Sequence, residues 1–414
     1  MPELNLFVVV GLLAGLYMAW TIGANDVANA MGTSVGSKTL TLGTAIIVAA
    51  VFEFTGAFFA GSHVANTIKD DVVNLGVFAH DPRLIAVGML SALAASAVWL
   101  HLATWRGWPV STTHAIVGAV AGFGLLIGGV GAVRWATVGG IVASWIISPL
   151  MGGLVAWALF MVMRRYVFAA EHPALRARIA TPVFVAAVAF VLVLSMIYKG
   201  LKNLHLDLPL WQALGGALLS GLVAYLIAWA FVRRQRLILG SLDAELTSIE
   251  RQFRFLQVIT ACYVAFAHGS NDAANAIGPM AAMLRSAGRS AIAAEVEVPL
   301  WLMALGGAGI VLGLATYGYK VIHTIGSRIT EVTPSRGFIM EFATATTVLL
   351  GSKLGLPVST THIIIGAVIG VGVGRGMAAL DLRVVKEILW SWVITVPASA
   401  VLCAAIYGIL IRLL

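Results

Sequence analysis

Apolar residues run along most of this chain for twenty or more positions without a charge. Such stretches cover 4–25, 107–133, 135–163, 179–198, 208–232, 298–319 and 388–411. Each is near the ~20 residues that a helix needs to cross a bilayer. Grouped into segments, the first part reads 4–34, 41–61, 84–104, 109–129 and 136–163, followed by 181–198 and 208–232. The pattern predicts an all-α polytopic membrane protein.

The polar interruptions are not random. "GANDVANAMG" at 23–32 returns as "GSNDAANAIG" at 269–278, and "PVSTTHAIVGAVAG" at 109–122 returns as "PVSTTHIIIGAVIG" at 357–370. Two dense matches in the same order and at nearly the same separation mark residues 1–165 and 250–414 as copies of one unit of five membrane segments. Between them, 166–249 holds two apolar spans and a charged linker, "RRQRLILGSLDAELTSIERQFR", read as a solvated helix. If every segment crosses, there are about twelve. The second copy then begins after seven and enters from the opposite side. Two inverted repeats with broken or re-entrant helices are the expected architecture, as in many secondary transporters.

Composition adds orientation. The chain is 60% hydrophobic and 11% charged, with a net charge of +8. In a membrane chain Lys and Arg report sidedness before they report nucleic acid. With both termini outside, most of the 26 Lys and Arg fall on the cytoplasmic face. Cys262 and Cys403 have no metal-ligand spacing and read as packing residues. His63, Asn66 and Lys69, in "GSHVANTIKDD", read as a turn at the membrane edge.

Of 18 acids, Asp26, Glu53, Asp272 and Glu341 fall inside apolar segments. A carboxylate there costs at least ~2.5 kcal/mol on insertion scales and marks a functional site. The repeat spacing puts Trp301 opposite Glu53 and Leu93 opposite Glu341, so the Glu pair are not mates. Asn25, Asp26 and Asn29 lie at i, i+1 and i+4, an arc of about 100° on a helix. Gly23 before them allows a break that would free backbone carbonyls. With amide and carboxylate oxygens these are hard ligands for a small cation such as Na⁺. Asn271, Asp272 and Asn275 repeat the set.

The second motif has the opposite chemistry. Pro109 and Pro357 suit a helix's first turn, so Ser111, Thr112 and Thr113, with Ser359, Thr360 and Thr361, gather hydroxyls where free N–H groups and the positive helix end also point. That favours an anion such as phosphate. His114 and His362 read as hydrogen-bonding residues behind the helix start rather than as metal ligands.

These paired motifs resemble the duplicated signature of the inorganic phosphate transporter (PiT) family, over essentially both halves. The resemblance implies Na⁺- or H⁺-coupled phosphate symport, a homodimer, and a scaffold part with a moving part. It assigns Asn25, Asp26, Asn271 and Asp272 to the ion and phosphate site and the two Ser-Thr-Thr triplets to the phosphate cradle. Glu53 and Glu341 match acids that the family also carries, here supporting ones. The short central loop fits a prokaryotic protein of the inner (plasma) membrane.

The expected function is therefore a secondary active importer of inorganic phosphate, with no cofactor and no enzymatic activity. A sulfate or other oxyanion permease is the alternative. Phosphate is preferred because it carries a proton near neutral pH and can donate to a carboxylate, which sulfate cannot. An anion channel fits buried carboxylates poorly. A membrane phosphatase lacks an evident nucleophile and base pair.

Overall fold

The computed structural model describes residues 6–60, 72–78, 81–199, 208–235, 240–287, 298–353 and 358–413. Among these the chain is helical and forms no strand. Its helices are α1 (Leu6–Gly36), α2 (Leu42–Ala60), α3 (Pro82–Trp105), α4 (Thr112–Gly128), α5 (Trp135–Met163), α6 (Pro173–Lys199) and α7 (Leu210–Arg234). They continue with α8 (Leu242–Asp272), α9 (Ala274–Ala287), α10 (Leu300–Tyr317), α11 (Tyr319–His323), α12 (Pro334–Lys353), α13 (Thr360–Arg375) and α14 (Leu382–Leu413). His63, Asn66 and Lys69 lie outside the described residues.

Among the described helices, α1, α2, α3, α5, α6, α7, α10 and α14 are long and apolar enough to cross a membrane. That makes eight described helices with the length and apolarity of a span, where the segment pattern suggests about twelve. The difference has a local cause. At 17 and 16 residues, α4 and α13 reach only about 25 Å. The less apolar α8, α9 and α12 carry the second Asn-Asp motif, Gln257, Thr260 and Glu341.

The core surrounds α1. Every residue from Thr21 to Ser34 is buried, so this half of the helix meets protein on all sides. The break expected at Gly23 is absent, and α1 runs unbroken from Leu6 to Gly36. Gly23 serves packing instead: a Cβ there would lie 1.9 Å from the Ile310 carbonyl oxygen. The counterpart contact sets Gly269 against Glu53, with a Cβ 2.1 Å from its carbonyl oxygen. The glycine ahead of each Asn-Asp pair thus lets two helix backbones touch, α1 on α10 and α8 on α2. Only the second motif interrupts its helix, since α8 ends at Asp272 and α9 begins at Ala274.

These two contacts also correct the expected pairing of Glu53. Its counterpart is Ile310 rather than Trp301, because the chain joining α9 to α10 is longer than that joining α1 to α2. The charged stretch predicted as a linker helix is likewise no separate element. Ser241 accepts from the Ala244 N–H as N-cap, and the helix continues without interruption to Asp272.

Two hairpins deliver the hydroxyl triplets. The α3–α4 pair leaves and rejoins the fold at one place, where the Asn74 N–H donates to Ala132 O at 2.9 Å and that of Arg134 to Val72 O at 3.1 Å. The α12–α13 pair closes similarly, with the Asp381 N–H on Ile329 O at 3.0 Å and the Thr330 hydroxyl on Ala379 O at 2.8 Å. Ser111 and Ser359 cap α4 and α13, each accepting at 3.2 Å from the N–H of His114 or His362.

Candidate functional site

All four motifs meet at one buried point. Thr112 donates to Asp26 Oδ2 at 2.9 Å, and Thr360 donates to Asp272 Oδ2 at 2.7 Å. The link also runs across the copies. Asn29 Nδ2 donates to the Thr361 hydroxyl at 2.9 Å and to that of Thr360 at 3.4 Å, while Asn275 Nδ2 donates to Thr112 at 3.1 Å and Thr113 at 3.3 Å. Thr361 reaches Asp26 Oδ1 at 3.4 Å. Each Asn-Asp motif therefore touches both hydroxyl triplets.

The remaining members divide by role. Asn271 Nδ2 donates to Asp272 Oδ1 at 2.9 Å and to Val358 O at 3.4 Å. Asn29 Oδ1 is buried with no hydrogen-bond partner in the protein, which leaves an acceptor available to a cation. Asn25 differs from the expected ligand. Its Nδ2 donates to Thr104 at 2.9 Å and to Trp108 O at 3.0 Å, and its Oδ1 accepts from the Val110 N–H at 3.2 Å. Both ends of the amide thus hold the loop between α3 and α4.

That loop is non-helical backbone among buried helices, where unpaired carbonyls are costly. Side chains from other elements hold most of them: Lys320 on Trp105 O, Thr324 on Gly107 O, Asn25 on Trp108 O, Trp392 on Pro109 O and Thr361 on Val110 O. Gly107 supplies the positive φ of 70° that turns the chain there.

Sequence reasoning missed His268. It is fully buried, with Nε2 3.0 Å from Asp272 Oδ2 and 3.6 Å from Asp26 Oδ2, and Nδ1 3.3 Å from Glu53 Oε1. One ring thus faces three buried acids. Asp26, His268 and Asp272 have ligand atoms within 4.8 Å of one another, close enough to share a cation. The available signal was its position one turn before Asp272, but the first copy has Ile22 there, so duplication gave no hint.

Glu341 occupies a separate polar nest one turn past Asn29 on α1. Its Oε1 accepts from Thr33 at 2.6 Å, Ser34 at 2.7 Å and Gln257 Nε2 at 3.3 Å, and its Oε2 accepts from Thr260 at 2.5 Å. The supporting acids therefore support different things. Glu53 backs the central histidine, while Glu341 ties α1, α8 and α12 together.

His114 departs from expectation, since neither ring nitrogen has a hydrogen-bond partner. His362 Nδ1 meets Trp145 O at 3.1 Å, as a hydrogen-bonding role requires.

The family model described as "Phosphate transporter family" matches residues 22–403, which takes in all four motifs. The chain belongs to the phosphate transporter family. Its resemblance to individual members is extensive. It is 45% identical over 425 residues to the chloroplastic inorganic phosphate transporter 2-1 of Arabidopsis thaliana, covering 96% of this chain and 70% of that protein. It is 42% identical to a putative phosphate permease of Haemophilus influenzae, covering 96% of this chain and 94% of that one. A solved structure, titled the sodium-dependent phosphate transporter, superposes with a TM-score of 0.91 at 40% identity, over 99% of this chain and 100% of the other. The family consists of transporters and permeases, which favours transport over catalysis for this member.

Proposed function

We propose that this family member is a symporter that carries inorganic phosphate into the cell together with Na⁺. The observation that supports it most is the meeting of two hydroxyl triplets with two buried carboxylates, Asp26 and Asp272. Na⁺ is favoured over H⁺ because the structural neighbour is a sodium-dependent phosphate transporter and because the donor set is rich in oxygen.

The hydrogen bonds suggest how coupling arises. A threonine has one O–H to donate. Thr112 and Thr360 now donate to the two carboxylates. When phosphate enters the cradle formed by Ser111 to Thr113 and Ser359 to Thr361, those hydroxyls turn to its oxygens and the carboxylates lose their donors. Na⁺ then replaces them, held by Asp26 and Asp272 with Asn29, Asn271 and Asn275. Asn25 orients the loop instead of coordinating. An anion beside bare carboxylates is repelled, so each ligand improves the site for the other, and linkage makes the benefit reciprocal.

The twelve-segment inverted repeat belongs to the same proposal. The α3–α4 hairpin dips from the outer face and returns to it, and α12–α13 does so from the inner face. Replacing two crossings by one hairpin leaves parity unchanged, so residues 1–165 and 250–414 stay opposed, with 166–249 between them and both termini outside. Assembly as a homodimer in a prokaryotic inner membrane completes the reading. Purified protein in sealed liposomes tests it: phosphate should accumulate against its gradient when Na⁺ is imposed outside. Uptake indifferent to Na⁺ would reject symport with this ion.

A further inference from the structure

We infer that His114, His362, Trp145 and Trp392 form a column of rings that sets the gap between the two hydroxyl triplets, making His114 and Trp145 positioning residues for phosphate. The inference rests on the cradle proposed above. His114 and His362 directly follow the two triplets, and their rings touch each other, with centroids 4.3 Å apart. Trp145 closes one end at 3.5 Å from His114, and Trp392 the other at 3.5 Å from His362. Both histidines are 2% exposed.

The column joins the two copies crosswise. Trp145 belongs to the first copy, yet its carbonyl meets His362 Nδ1 of the second at 3.1 Å. Trp392 belongs to the second, yet its Nε1 donates to Pro109 O at 3.1 Å, beside the first triplet. The helix starts α4 and α13 therefore meet through these rings, His114 edge-on to His362 and His362 stacked on Trp392. A flat ring has few rotamers and transmits position well. Moving one ring would move a triplet relative to its partner, and a misplacement near 1 Å is enough to weaken such a site severely.

The polar atoms show which property of the rings matters. Both nitrogens of His114 and the indole nitrogen of Trp145 are buried with no hydrogen-bond partner. No protein group pairs with these nitrogens, so what the column takes from these two rings is their shape rather than a hydrogen bond within the protein. Phenylalanine should therefore replace either residue, and alanine should not. A histidine that bound phosphate or relayed a proton would fail equally with either substitution.

The test compares His114→Phe with His114→Ala, and Trp145→Phe with Trp145→Ala, in purified full-length protein. Phosphate affinity at fixed Na⁺ should fall about tenfold or more in the alanine variants and stay within about threefold in the phenylalanine variants. Na⁺ affinity without phosphate should hold in all of them. The second position keeps the comparison open if one variant does not fold. A ligand-free measurement separates this inference from the cradle itself. Spin labels at the exposed Leu126 of α4 and Val373 of α13, in protein lacking Cys262 and Cys403, should give a narrow distance distribution in the unaltered and Phe proteins and a broadened or shifted one in the Ala proteins. Unaltered protein that binds no phosphate would reject the cradle but leave the spin distances to judge the column. Equal losses in Phe and Ala variants, or unchanged affinity and distance in Ala variants, would overturn it.

Discussion

The Thr112 hydroxyl donates to the Asp26 carboxylate at 2.9 Å, across 86 residues of sequence. Thr360 repeats the bond to Asp272 at 2.7 Å. The hydroxyl proposed to bind the anion thus gives its one O–H to the carboxylate proposed to bind the cation. Competition for that donor is the physical basis proposed here for coupling.

The carboxylates should be individually necessary. Asp26→Asn and Asp272→Asn keep shape and lose charge, so Na⁺-driven phosphate uptake should fall at least about tenfold, the effect of ~1.4 kcal/mol. Near-normal uptake by either variant would remove that carboxylate from the mechanism.

His268 should matter for the same site in a different way. Removing its ring in His268→Ala leaves Asp26, Asp272 and Glu53 without their shared partner. An unpaired buried charge is more costly than a lost neutral bond. Uptake should drop by about tenfold or more, and Glu53→Gln should produce a loss in the same direction because Glu53 faces the other ring nitrogen. Additive losses in the double variant would argue against one coupled unit.

Much of the candidate site is legible in the sequence alone. The two duplicated motifs named Asp26, Asn29, Asn271, Asp272, Asn275 and both hydroxyl triplets, because a polar residue inside an apolar run has few explanations and a repeated one has fewer. Three features were hidden for physical reasons. Gly23 allows a break by sequence, but a glycine admits close packing as readily as a kink, and Ile310 O lies against it. His268 had no repeat mate. Glu341's partners Thr33, Ser34, Gln257 and Thr260 sit on two other helices, so only packing brings them together.

Glu341 should be structural. Four donors converge on its carboxylate, and Glu341→Gln would turn an NH₂ group toward some of them. Leaving even one donor unpaired costs about 1–3 kcal/mol. The melting temperature of the detergent-solubilised protein should fall clearly, whereas an unchanged one would show that the nest contributes little.

Orientation has a direct check. Glu245 near the start of α8 accepts from the Ala174 N–H at 3.1 Å and faces His172 at 3.5 Å, so the chain before α6 and the start of α8 lie on one side. Single cysteines at Arg176 and Ser241, with Cys262 and Cys403 replaced, should both resist an impermeant thiol reagent added to intact cells. Labelling of either from outside would reverse the proposed topology.

The most direct test of the account is a pair of binding titrations on the purified protein: phosphate at low and high Na⁺, and Na⁺ with and without phosphate. A shared, mutually neutralised site predicts that Na⁺ tightens phosphate binding and that phosphate tightens Na⁺ binding by the same factor. Thr112→Val and Thr360→Val should weaken phosphate binding and shrink that factor together. Phosphate affinity that ignores Na⁺ in the unaltered protein would contradict the central claim.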